Sequence, residues 1–190
     1  MKVLIAEDNV SSCSVYEKVL LKTTDFEICT SASYIQAQDM LKNNKFDVII
    51  LDVYLGRDSP TGIDIATKIR KVDLNTQIIV ITGYSSDTII KEAITLDIYD
   101  YLKKPIDLNY FAKTTQRAME KKLLLDERDK LQNLINKTLE DVDINYLEST
   151  FKDLYDNKKS FARLSEVQDI LHIAVKKLIS DNVKRELPQC

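Results

Sequence analysis

Five short apolar runs punctuate the first half of the chain: Val3 to Ala6, Phe26 to Cys29, Val48 to Leu51, Ile78 to Ile81 and Ile98 to Leu102. The first, third and fourth are almost unbroken and rich in β-branched residues, a pattern that suits strands buried on both faces of a parallel sheet. The second and fifth alternate with polar residues and read as edge strands. Between the runs lie amphipathic stretches of helical length, Val10 to Thr23, Ser33 to Asn43, Gly62 to Lys71 and Ser85 to Thr95, and a last one starts at Leu108. Five βα units in succession predict an α/β fold. Right-handed crossovers then place helices on both faces of the sheet, and chemistry is expected beyond the carboxyl ends of the strands.

The second half has a different texture. The three glycines, Gly56, Gly62 and Gly83, all precede it, and neither glycine nor proline occurs between Pro105 and Pro188. Residues 107 to about 140 therefore read as one long helix with Asp107 as its N-cap, followed by two or three shorter helices. The change from core-like spacing to charge places a boundary between Glu120 and Asp143. Residues 140–157 hold six acids and one base, whereas residues 158–185 hold seven bases and three acids, so the end of the chain is locally basic.

At 190 residues, 44% apolar and 30% charged, the chain suits one ordinary globular domain plus a smaller unit, with no sign of disorder. No stretch is long and apolar enough to span a membrane, and Glu7 and Asp8 interrupt any signal-peptide core; a cytoplasmic location is expected. Cys13, Cys29 and Cys190 are widely spaced and read as reduced thiols.

The residues that follow the predicted strands form a short, chemically coherent set: Glu7 and Asp8, then Asp52, Thr82 with Gly83, and Lys104 with Pro105. Carboxylates gathered at one sheet edge repel unless a cation or an ammonium offsets them. A small hard cation such as magnesium takes oxygen ligands. Asp52, at a central strand, is the candidate nucleophile for a phosphoryl group, and Lys104 supplies a second positive charge. Taken singly, each of these residues is more often a solvated charge, a satisfied hydroxyl or a core aromatic. Their joint placement carries the reading.

Across residues 1–120 the chain resembles the receiver domain of two-component response regulators, on the motifs A-E-D-N, V-I-I-L-D, V-I-T-G and Y-D-Y-L-K-K-P. The resemblance implies a flavodoxin-like, doubly wound five-stranded parallel sheet of order 2-1-3-4-5, followed by an all-α segment. It implies that Glu7, Asp8, Asp52 and the Tyr54 backbone carbonyl hold Mg2+ (or Mn2+), that Asp52 is the phosphoacceptor, and that Lys104 and Thr82 assist. Thr82 and Tyr101 would form the switch pair, with Lys104 preceding a cis proline at Pro105. The implied donor is a sensor histidine kinase or phosphotransfer protein, and the chain itself would be a regulatory phosphoacceptor, not an enzyme in the ordinary sense. The loop V-Y-L-G-R-D-S-P-T-G after Asp52 is two residues longer before its glycine than in many family members.

The expected organisation is a receiver over 1–120, a helical linker over 121–142 and a small helical output segment over 143–190. The seam Leu124, Leu131, Leu134, Ile135 and Val142 spans barely two heptads, compatible with a homodimer formed on phosphorylation or with a plain connector helix. Residues 161–187 resemble a helix-turn-helix loosely, with Lys176, Lys177, Lys184 and Arg185 as candidate phosphate contacts on DNA. An amphipathic hairpin with solvated lysines fits the same residues. Two functions follow: a DNA-binding transcription regulator, or a signalling adaptor or phosphorelay protein that acts through protein contacts. An aspartate-nucleophile phosphatase of another fold is disfavoured, because Val53, Tyr54 and Leu55 follow Asp52 where that family needs D-x-D-x-[TV].

Overall fold

The computed structural model describes residues 1–56, 60–83 and 87–140. In chain order the elements are β1 (Lys2–Ala6), α1 (Val10–Thr23), β2 (Glu27–Ser31), α2 (Tyr34–Asn43), β3 (Val48–Asp52), α3 (Gly62–Arg70), β4 (Gln77–Thr82), α4 (Asp87–Thr95), β5 (Asp100–Lys103) and α5 (Leu108–Glu140). All four strand pairings are parallel, in the order β2-β1-β3-β4-β5. The fold class is the one expected. The chain divides into two compact units, Met1–Asp129 and Lys130–Cys190; of the expected output segment, 143–190, all residues lie outside those described.

Strand periodicity explains the two cores. Successive side chains point to opposite faces, so Leu4, Ile49, Leu51, Ile78 and Val80 pack beneath α2 and α3, with Tyr34, Ala37, Ile65, Ala66 and Ile69. Val3, Ile5, Val48, Ile50, Ile79 and Ile81 face the other way, onto Tyr16 and Leu20 of α1 and Phe111 and Met119 of α5. β1, β3 and β4 are thus covered on both sides, which is why their sequences lack alternation. Full burial of a side chain such as Phe111 contributes roughly 1.5–3 kcal/mol.

Helix starts follow their caps. Asn9 and Ser33 accept from the backbone N–H groups of Ser12 and Gln36, and Thr61 forms a reciprocal capping box with Asp64. Asp107 Oδ1 accepts from the N–H groups of Asn109 and Tyr110, 2.8 and 3.1 Å away, as its N-cap reading requires. Two strands are displaced from their apolar runs. β2 is drawn to Glu27–Ser31 because it pairs residue for residue with β1, while Phe26 packs on the α1/α5 core. β5 begins at Asp100 because Ile98 is still part of the exit from α4, its N–H bonded to Ala93 O after the left-handed Asp97 (φ 48°). The expected α4 start at Ser85 lies outside the described residues.

Gly62 opens α3 directly behind β3. Its N–H donates to Val53 O at 2.9 Å, and a Cβ here would overlap the Asp52 backbone carbonyl oxygen. Backbone cannot yield as a flexible side chain can. Gly62→Ala is therefore expected to lower stability by roughly 1–3 kcal/mol, read as a lower urea midpoint with an unchanged m-value; a midpoint equal to the parent's would show that α3 does not abut β3.

Candidate phosphoacceptor site

The strand register delivers the acidic residues to one place. Ala6 pairs with Leu51 and Asp52 pairs with Ile81, so Glu7, Asp52 and Thr82 emerge at neighbouring levels along the carboxyl edge of three adjacent strands. Glu7 is 2% exposed and Asp52 6%, whereas Asp8 lies open on the turn into α1. One carboxylate oxygen from each of Glu7, Asp8 and Asp52 lies within 4.8 Å of the others.

Lys104 reaches this cluster from the end of β5. Its ammonium donates to Glu7 Oε2 and Asp52 Oδ2, both at 2.6 Å, spanning 97 and 52 residues of sequence. Its backbone N–H donates to Thr82 O at 2.8 Å, so the lysine is fixed at main chain and side chain alike. The peptide bond to Pro105 is cis. The other Asp52 oxygen, Oδ1, accepts from Tyr54 N–H at 3.2 Å, and Glu7 Oε1 accepts from Asn9 N–H at 3.2 Å.

Electrostatics follow from this crowding. Burial pushes the Glu7 carboxyl pKa up; the bond to Lys104 pulls it back only in part, and Asp52 pushes it up further. Burial works against the Lys104 charge, but the two carboxylates together outweigh it and raise its pKa. Three carboxylates against one ammonium leave a formal charge of −2 at the sheet edge. The deficit matches a divalent cation, and an all-carboxylate donor set suits a hard one.

The profile for the response regulator receiver domain matches residues 3–116. This chain belongs to the receiver domain family. Receivers are phosphoacceptor regulatory domains that bind Mg2+ at an acidic pocket. The chain is similar to the transcriptional regulatory protein CitT of Bacillus subtilis, 28% identical over 138 residues that cover 70% of this chain and 59% of CitT. It is 25% identical to the transcriptional regulatory protein ZraR of Escherichia coli O157:H7 over 65% of this chain and 27% of ZraR. The chain therefore spans only a quarter to six-tenths of these relatives. Among solved structures, a CheY-like receiver from Methanospirillum hungatei superposes with a TM-score of 0.60 at 17% identity, over 64% of this chain and 94% of that one. A LuxR-family DNA-binding response regulator from Staphylococcus aureus superposes with a TM-score of 0.57 at 23% identity, over 62% and 98%. At these identities the superpositions establish the fold alone.

Of the receiver residues singled out from sequence, Glu7, Asp8, Asp52 and Lys104 come together. Thr82 is fully buried at the end of β4, paired with Lys103 in the β4–β5 register. Tyr101 sits two residues before Lys103, half-buried against the α2/α3 core. Its hydroxyl is buried without a well-formed hydrogen bond; burial raises its pKa and Thr82 lowers it, which places the two side chains next to each other. Tyr54 is 49% exposed. Lys176, Lys177, Lys184 and Arg185 lie outside the described residues, as do Arg57–Ser59 of the long loop. Sequence reading missed Asn9, which both caps α1 and donates to Glu7; its signal was the cap position immediately after the acidic pair.

A raised Glu7 pKa means that the folded state holds this proton more tightly than the unfolded state. The associated stability is therefore present at low pH and is lost as pH rises through the folded pKa. Glu7→Gln should raise the urea midpoint of the metal-free protein at pH 8, and the gain should shrink as pH falls below the folded Glu7 pKa and vanish only below the ordinary carboxylate range of the unfolded chain. Lys104→Met should act oppositely at pH 8, costing roughly 3–5 kcal/mol by leaving buried carboxylates unpaired. A pH-independent effect of Glu7→Gln would mean that this carboxyl is not held against its charge.

Proposed function

We propose that the chain is a response regulator in which Asp52 accepts a phosphoryl group from a sensor histidine kinase or phosphotransfer protein, with Mg2+ (or Mn2+) at Glu7, Asp8, Asp52 and the Tyr54 carbonyl. The observation that carries this reading is the Lys104 ammonium held between Glu7 and Asp52 at 2.6 Å. An Asp52 carboxylate oxygen attacks phosphorus; its new O–P bond forms as the P–N bond to the donor imidazole breaks. The cation, when bound, offsets charge on the transferring oxygens. Lys104 exchanges a carboxylate oxygen for a phosphoryl oxygen at the moment negative charge accumulates, so little reorganisation is needed.

The added phosphoryl brings roughly 1.5–2 negative charges and three acceptor oxygens. Thr82, at the adjacent strand end, turns its hydroxyl toward them, and Tyr101 repacks into the space released. The buried tyrosine hydroxyl beside Thr82 supports this pairing. The result is a population bias at the α4–β5–α5 face of about 1–3 kcal/mol.

The domain organisation we favour is a receiver over 1–120, a helical linker over 121–142 and an output segment over 143–190, acting in transcription control. The curated relatives are transcriptional regulatory proteins, and the 158–185 stretch is rich in Lys and Arg. Lys176, Lys177, Lys184 and Arg185 are its candidate DNA contacts.

Asp52→Asn is expected to keep the fold and abolish phosphoryl acceptance, seen as loss of the retarded band in a Phos-tag gel after incubation with acetyl phosphate and Mg2+. Persistent labelling of the variant would remove Asp52 from its role, and parent labelling that survives excess EDTA would remove the metal. For the output, full-length protein should shift a DNA duplex with an affinity that falls steeply with salt and depends on sequence. Salt dependence without sequence preference would reduce the basic end to a charged tail, and no shift at low salt would favour an adaptor acting through protein contacts.

A further inference from the structure

The loop between α3 and β4 is tied on both sides. On one side the Arg70 guanidinium donates to Thr76 O at 2.6 Å and Asp73 O at 3.4 Å within the loop. It also donates to Leu96 O at 2.8 Å and Asp97 O at 3.1 Å at the end of α4. On the other side Asn75 Nδ2 donates to Asp129 Oδ2 at 2.5 Å, more than three turns beyond the end of the family match in α5. The loop itself is locked by Asp73, whose carboxylate accepts from Asn75 N–H, Thr76 N–H and Thr76 Oγ1 at 2.7–3.0 Å. Burial opposes that charge, yet these bonds and the nearby Lys122 hold the Asp73 pKa below the usual carboxylate range. Lys122 is itself buried on α5 and paired with Asp126 at 2.6 Å.

We infer that the Asp73–Thr76 loop links α4 to the α5 extension: Arg70 grips the end of α4, and Asn75 passes its displacement to Asp129. This rests on the proposed phosphoryl switch at Asp52. α4 follows β4, which carries Thr82 at its end, so a shift there reaches Leu96 and Asp97, just beyond the far end of the same helix. Arg70 cannot follow those carbonyls without pulling on Asp73 and Thr76, because one rigid guanidinium bonds all four oxygens. Asn75 is part of the same turn. Its amide is the bond by which the turn holds α5 outside the core, at the last residue of the compact unit. The route uses neither Tyr101 nor the β5 edge, so α5 would receive phosphorylation by a second path.

The test is amide hydrogen exchange by mass spectrometry on the full chain, with and without Mg2+ plus beryllofluoride as the phosphoryl mimic. In the parent, exchange should change both around Asp52 and over 122–131. In Asn75→Ala and in Asp129→Asn the response near Asp52 should persist, while that over 122–131 falls roughly fivefold or more. Combining Asn75→Asp with Asp129→Asn reverses donor and acceptor and should restore the α5 response. Both positions are partly exposed and lie outside the phosphoacceptor site, and acetyl phosphate labelling should stay at the parent rate in each. An α5 response unchanged in the single variants, or not restored in the double variant, overturns the link. So does a parent that responds near Asp52 but not over 122–131. Absence of any response near Asp52 would remove the phosphoryl-switch reading instead, and the link with it.

Discussion

The structure turns on one ammonium placed between two buried carboxylates. Glu7 and Asp52 stand at the ends of neighbouring strands, and without Lys104 their almost fully buried charges would face each other unpaired. With Lys104 the edge is held together but remains short of neutrality, since Asp8 adds a third carboxylate. A site stabilised by one cation and still negative is primed for a divalent ion. On the proposed reading, such a site would receive a phosphoryl group without first being rebuilt.

Everything around the site serves to keep that placement. The parallel register sets Glu7 level with Asp52, Gly62 lets α3 lie against the Asp52 backbone, and Asn9 links the cap of α1 to Glu7. Lys104 is pinned through its own backbone to Thr82. The cost is borne by the apolar layers: β1, β3 and β4 are covered on both faces, which allows an electrostatically unfavourable edge to persist in a stable fold.

The chain's pattern made the sheet legible because doubly buried strands leave continuous β-branched runs, as at Val48–Leu51 and Ile78–Ile81. It was less informative where tertiary pairing outweighs local preference. β2 slid past Phe26 to match β1, and β5 started late because the left-handed Asp97 had to end α4 first. The meeting of Glu7, Asp8, Asp52 and Lys104 was legible from residue types at strand ends, because a parallel sheet brings successive strand ends to one edge. Asn9 and the Asn75–Asp129 bond were not legible: an asparagine after an acidic pair reads as a cap, and a contact across 54 residues leaves no periodicity. Among the described residues no helix is long and apolar enough to cross a membrane.

The account is tested most directly by trapping the acyl phosphate with borohydride after phosphorylation and mapping the reduced residue by peptide mass spectrometry. Reduction confined to position 52 is the predicted result, with the signal lost when Lys104 is replaced by Met. Reduction at another acid, or an undiminished signal without the lysine, would contradict the claim that this ammonium and these carboxylates form the reacting centre.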